Sequence, residues 1–217
     1  MGKRFLGDQK NSTYVLERFQ LPIVDALVRN CPRSINSIHM TLLSLPISLL
    51  LILAGYLSSK NMYWLFASSV LIISSWLADS CDGALGKSRK EGLRRWGFFM
   101  DHMLDYFFLI AVSVSYGFIF EGIAKTCVYL FIPLMGAYMM NSFLAYGASG
   151  RFRVTYYNLG PTEIKIGLSL LNIYVIFYGT GYVGAGLPYV LAFLSLVLTL
   201  IIYQTQKEII GMDRGST

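Results

Sequence analysis

Six stretches of this chain are apolar over almost their whole length: 37–57, 62–83, 98–120, 126–148, 164–183 and 187–206. The hydrocarbon core of a bilayer is about 30 Å thick, and a helix that crosses it needs roughly 20 apolar residues. In lipid every backbone N–H and C=O must find a partner within the chain, and for single segments of this length the solution is the α-helix. The pattern predicts an all-α integral membrane protein with six transmembrane helices. Pro46 and Gly136 interrupt two of the segments, as membrane helices tolerate. Composition agrees: 55% of the 217 residues are hydrophobic and 14% are charged, against roughly 25% charged in an ordinary soluble domain. No soluble domain or repeat is left over, and no nucleic-acid partner is expected.

The segments divide the chain into a cytoplasmic arm (1–35), a six-helix domain (36–207) and a short tail (208–217). Within the arm, TYVLERFQLPIVDALVRN (13–30) mixes aromatic, aliphatic and charged positions. It suits a short interfacial helix on the membrane surface; a solvated arm is the other reading, and Pro22 speaks against one uninterrupted helix. The start of the chain has no apolar run of the kind a cleavable signal peptide carries. Cys31, Cys81 and Cys127 lie far apart and are expected to be free thiols. His39, near the start of the first segment, reads as structural.

Basic residues set the orientation. Of the 18 lysines and arginines, only Lys60 and Lys125 fall on one side of the six-span layout. The other side holds the arm, the tail, the 87–95 loop and a fourth loop with Arg151, Arg153 and Lys165. The positive-inside rule predicts that both termini and the 87–95 loop face the cytoplasm, in the cell inner membrane if the source is prokaryotic.

Against this background the stretch WLADSCDGALGK (76–87) stands out, because it places Asp79 and Asp82 where an apolar segment has barely ended. Insertion scales put a charged side chain at the centre of a membrane helix at about 2.5–3.5 kcal/mol. Of the 12 acidic residues, four cluster at span ends: Asp79 and Asp82, spaced i, i+3, and Asp101 and Asp105, spaced i, i+4. At 3.6 residues per turn each pair shares a helix face. A short loop joins the two segments, so the four carboxylates are expected to converge at one depth. Uncompensated, such a group repels itself or takes up protons. Divalent cations compensate it, and carboxylate oxygens suit magnesium, manganese or calcium. Gly83, Gly86 and Gly97 keep the neighbouring helix surface bare for a substrate. The plainer alternative is that these acids cap helices or pair with Lys87, Arg94 and Arg95.

Taken together, Asp79-x2-Asp82-Gly83-x2-Gly86-Lys87-x9-Gly97-x3-Asp101-x3-Asp105 resembles the signature of the CDP-alcohol phosphotransferase family, D-x2-D-G-x2-A-R followed by G-x3-D-x3-D. The resemblance covers about residues 30–207. Gly86-Lys87 replaces the family's Ala-Arg; lysine keeps the charge and loses the planar fork, and Arg89 is a candidate substitute. The resemblance implies metal-dependent transfer of a substituted phosphate from a CDP-linked donor, CDP-diacylglycerol or a CDP-aminoalcohol, to an alcohol, with release of CMP, in phospholipid biosynthesis. One of the two substrates would be a lipid. It implies that Asp79, Asp82, Asp101 and Asp105 hold two Mg2+ or Mn2+ ions, that Gly83, Gly86, Lys87 and Gly97 join Asp79 and Asp82 on the CDP side, and that Asp105 is a candidate base. MDHMLDYF (100–107) and YYNLGPTEIKIGL (156–168) are also similar to stretches of choline and ethanolamine phosphotransferases. That likeness adds His102 as a second base candidate and Glu163 as a third catalytic residue. His102 bonding to a neighbouring helix and 160–163 forming a simple helix start are the alternatives.

Arg151 and Arg153 are candidate contacts for a phosphate or an anionic acceptor, or else topology-setting charge. A homodimer is compatible with all of this. Two other functions compete: a cation transporter using the same acids, and a family member without activity. The transporter is disfavoured because the acids bunch at one face and do not mark a path across.

Overall fold

The computed structural model describes residues 17–149 and 161–215. Among these, eight helices account for nearly all residues: α1 (Glu17–Asn30), α2 (Ser37–Leu42), α3 (Ser44–Ser58), α4 (Trp64–Arg89), α5 (Arg94–Gly117), α6 (Gly122–Ser149), α7 (Pro161–Tyr178) and α8 (Gly181–Gly215). Five helical stretches are long and apolar enough to cross a membrane: Ser37–Ser58, which joins α2 and α3, then α4, α5, α6 and α8. Their outer faces are those of a multi-pass membrane protein. Leu49, Val70, Leu144, Phe193 and Leu196 are all exposed, an apolar surface far larger than a soluble monomer shows.

The remaining apolar segment, 164–183, forms α7 and falls short of those five. The reason is a polar stripe. Thr162, Lys165, Ser169 and Asn172 recur at helical spacing and are all buried, so α7 turns its polar groups inward and its apolar ones, such as Leu170 and Phe177, outward. Asn172 is fully enclosed; it accepts from Tyr116 Oη of α5 at 2.6 Å and donates to Ser69 Oγ of α4 at 3.0 Å. A satisfied network of this kind fixes how three helices sit together.

Other helix ends differ from expectation for local reasons. Pro46 has no N–H to give to Leu42, and the helix breaks there into α2 and α3 at Leu43. Helix α1 runs unbroken through Pro22, which leaves out one backbone N–H of its ladder. Helix α8 extends to Gly215, so residues 208–215 continue a helix where a separate tail was expected. His39 has the structural role expected of it. Its Nδ1 accepts from Asn36 N–H at 3.2 Å and its N–H donates to Asn36 Oδ1 at 3.1 Å, closing the start of α2. The three cysteines are free thiols.

Helix α3 packs against both α4 and α5; α4 packs in turn on α7, α2 and α1, and α6 on α5 and α8. The α3–α5 contact is close because Gly55 has no side chain: a Cβ there would come within 2.5 Å of Ser115 Cα. Leu51, Ile72, Phe108, Ala111, Val112, Tyr116, Phe120 and Val128 form the core between these helices. Helix α4 closes with Lys90 in the left-handed conformation (φ 55°), Glu91 N–H donating to Gly86 O at 3.1 Å, and Gly92 at φ 74°. This compact turn reverses the chain so that α5 packs back on α3.

Candidate metal and substrate site

The α4–α5 turn brings the acids together. Carboxylate oxygens of Asp79, Asp82 and Asp101 lie within 4.8 Å of one another, each residue half-buried. All three are hard oxygen donors, and no nitrogen or sulfur ligand belongs to the group, so the set fits a magnesium- or manganese-type ion. Thr41 Oγ1 donates to Asp82 Oδ2 at 2.8 Å, which fixes one carboxylate from α2.

Asp105 behaves differently from its expected place in a ring of four. It lies one turn further along α5, outside the group of three. Its Oδ1 is 4.0 Å from Lys165 Nζ, and the same ammonium is 3.3 Å from Asp79 Oδ2. Lys165 is 5% exposed and lies 5.2 Å over the ring of Phe108. Lys165, expected among the charges of the fourth loop, is instead an internal cation of the site. Without it, 15 of the remaining 17 lysines and arginines still fall on one side of the layout.

A hydrogen-bonded brace supports Asp79 from behind. Trp76 Nε1–H donates to Thr162 Oγ1 at 3.1 Å, Thr162 donates to Gln20 Oε1 at 3.0 Å, and Gln20 Nε2 donates to Ser80 Oγ at 2.8 Å. Helix α1 is thereby docked on α4 and α7, with Val24 buried and Leu21, Ile23 and Leu27 exposed.

The glycines divide into two kinds. A Cβ on Gly83 or Gly97 would meet nothing within 4 Å, whereas one on Gly86 would touch Ser37 of α2 at 3.5 Å. Gly86 therefore faces α2. Gly83 and Gly97 face open space beside the carboxylates, and close packing within the chain gives no reason for them. A helical glycine costs up to about 1 kcal/mol relative to alanine. Gly83→Ala is accordingly expected to leave thermal stability unchanged or slightly raised. Turnover should fall by about 10²-fold if a substrate must approach that face, the usual effect of displacing a reacting group by an ångström. Parallel melting and activity measurements check both halves, and unchanged turnover would remove the glycine from the site.

Lys87 is exposed on α4 beyond Gly83. Arg89 is not available as its substitute, because its guanidinium donates to the carbonyls of Ile35, Cys31 (3.1 Å) and Pro32 (3.0 Å) and ties the α1–α2 linker to α4. Glu91 secures the same corner by accepting from the Ser37 N–H at 3.1 Å and from its hydroxyl.

His102 sits one residue past Asp101 and so points to a different side of α5. Its Nδ1–H donates to Phe98 O at 2.7 Å, which places the basic lone pair of the neutral ring on Nε2. The ring packs on Phe98 and Phe143 and lines a cavity of about 670 Å3 between α5 and α6, together with Met103, Tyr106, Pro133 and Met140. Glu163 is half-buried in the first turn of α7. Arg151, Arg153 and residues 156–160 lie outside the described residues. Comparison with protein-family models, with curated proteins and with solved structures finds no match to this chain.

Proposed function

We propose that this protein is an integral-membrane CDP-alcohol phosphotransferase, transferring a substituted phosphate from a CDP-linked donor to an alcohol and releasing CMP. The convergence of Asp79, Asp82 and Asp101 within 4.8 Å beside two uncovered glycines carries the reading. A divalent ion held there would neutralise the donor's diphosphate and stabilise the departing CMP. Thr41 orients Asp82 and the Trp76–Thr162–Gln20 brace supports the helix that bears Asp79, so the carboxylates are set before a substrate arrives. Gly83 and Gly97 leave room for the nucleotide, with Lys87 as a point charge at the mouth.

His102 Nε2 is the leading candidate to take the hydroxyl's proton, from an acceptor whose hydrocarbon part lies in the apolar α5–α6 cavity and whose hydroxyl reaches round α5 to the carboxylates. Asp105, engaged by Lys165, is the weaker candidate for that step. The test is release of CMP by purified protein given CDP-aminoalcohols or CDP-diacylglycerol with candidate acceptors and Mg2+ or Mn2+. No CMP with any pairing would refute the assignment.

In this reading α7 completes a six-span domain whose termini and active site face the cytoplasm, the compartment of soluble CDP donors. Its polar stripe is shielded by α4 and α5, so only its apolar side meets lipid. Labelling of single cysteines checks the orientation. Lys90→Cys should be protected from an impermeant thiol reagent in intact cells and Lys125→Cys should react, given the bias of basic residues. The reverse pattern would invert the protein and overturn a cytoplasmic site.

A further inference from the structure

Two resident divalent ions, one between Asp79 and Asp105, do not fit the arrangement of charges around α7. Outside the close group of three, a second ion would have to draw on Asp105, and Asp105 Oδ1 and Asp79 Oδ2 already face Lys165 Nζ at 4.0 and 3.3 Å. We propose that the Lys165 ammonium stands in place of a second divalent ion, so that the chain binds one such ion, at Asp79, Asp82 and Asp101. Asp105 then serves as the lysine's anchor and not as a metal ligand.

The case is geometric. A magnesium-type ion sits about 2.0–2.1 Å from each ligand oxygen, so an ion bridging Asp79 and Asp105 would need the volume the ammonium fills. The lysine cannot readily withdraw. It is 5% exposed, between the faces of α4, α5 and α7 and over Phe108, and a buried ammonium without a carboxylate partner is strongly disfavoured. Asp105 is also the acid that falls outside the close group. A covalently tethered cation thus neutralises the two carboxylates furthest from the α4–α5 turn, and leaves the three oxygens nearest one another for a single ion.

This inference rests on the proposed metal site, and the experiment separates the two. Purified protein is titrated with Mn2+, with stoichiometry read by calorimetry and the bound ion by electron paramagnetic resonance. Wild type is expected to bind one Mn2+ with an uncoupled six-line spectrum. Lys165→Gln should bind two, spin-coupled because paired sites of this kind lie about 3.5–4 Å apart. Asp105→Asn should keep one ion with affinity within about threefold of wild type, since a lost ligand charge would cost more. Two ions in the wild type, a single ion in a folded Lys165→Gln, or loss of Mn2+ in Asp105→Asn would each overturn the inference while leaving a metal site in place. Where Lys165→Gln does not fold, the wild-type count and Asp105→Asn decide. No Mn2+ on the wild type would remove the metal site itself, and the proposed function with it.

Discussion

Asp79→Asn, Asp82→Asn and Asp101→Asn are each expected to abolish metal-dependent CMP release while the protein still inserts and folds. Each change removes one formal charge and keeps the side-chain volume. With only three carboxylates in the close group, losing one takes a third of its negative charge. Affinity for hard cations depends on ligand charge count, so Mn2+ binding should weaken together with turnover. The stability effects should differ in order. Asp101→Asn breaks no ion pair with Lys165 and should melt close to wild type. Asp79→Asn takes away the nearer partner of a buried ammonium, and truncating one side of such a pair costs about 3–5 kcal/mol when no other partner remains. Lys165 keeps Asp105, and the Asp79 side chain is 24% exposed, so the loss should be well below that range but measurable. Full activity in all three purified variants would refute a metal site here.

The uneven behaviour of the four aspartates shows what could be read from the sequence and what could not. Spacing alone put Asp79 with Asp82, and Asp101 with Asp105, on shared faces, and the short loop between the helices put them at one end of the bundle. Spacing says nothing about a third helix distant in sequence. In the sequence Lys165 reads as a loop charge because it follows two arginines near a predicted span start. The signal that it points inward was present: Thr162, Lys165, Ser169 and Asn172 recur on one face of an otherwise apolar helix. Charged residues within membrane segments usually face the protein interior. The same stripe leaves α7 less apolar than the five other segments, and what an average along the segment conceals is that the polar groups share one face.

Glycine roles were legible only in part for a related reason. Gly83 and Gly86 lie three residues apart on α4, and the sequence offers no way to tell which meets solvent and which meets α2. That depends on Ser37, which is held against the end of α4 by Glu91. Arg89 is similar: its position next to Lys87 suggested a phosphate contact, yet the linker carbonyls of residues 31–35 engage its donors. Helix ends and charge bias follow from local chemistry, whereas the partners of a long side chain depend on the tertiary fold.

His102→Ala is expected to lower turnover by about 10²–10⁴-fold, the usual worth of a positioned general base. Mn2+ stoichiometry and nucleotide affinity should stay near wild type, because the ring packs on Phe98 and Phe143 and away from the three carboxylates. A role in packing alone would show up as a lower melting temperature without such a loss. Imidazole supplied in solution tells the two apart further: the truncated side chain enlarges a cavity already of about 670 Å3, and added imidazole should restore part of the rate if the missing group is a base. Near-normal turnover in His102→Ala would return the base role to Asp105 despite its ion pair with Lys165. It would also turn the substrate assignment around, toward a CDP-diacylglycerol donor and a small polar alcohol, since the apolar cavity would then have no reacting group beside it.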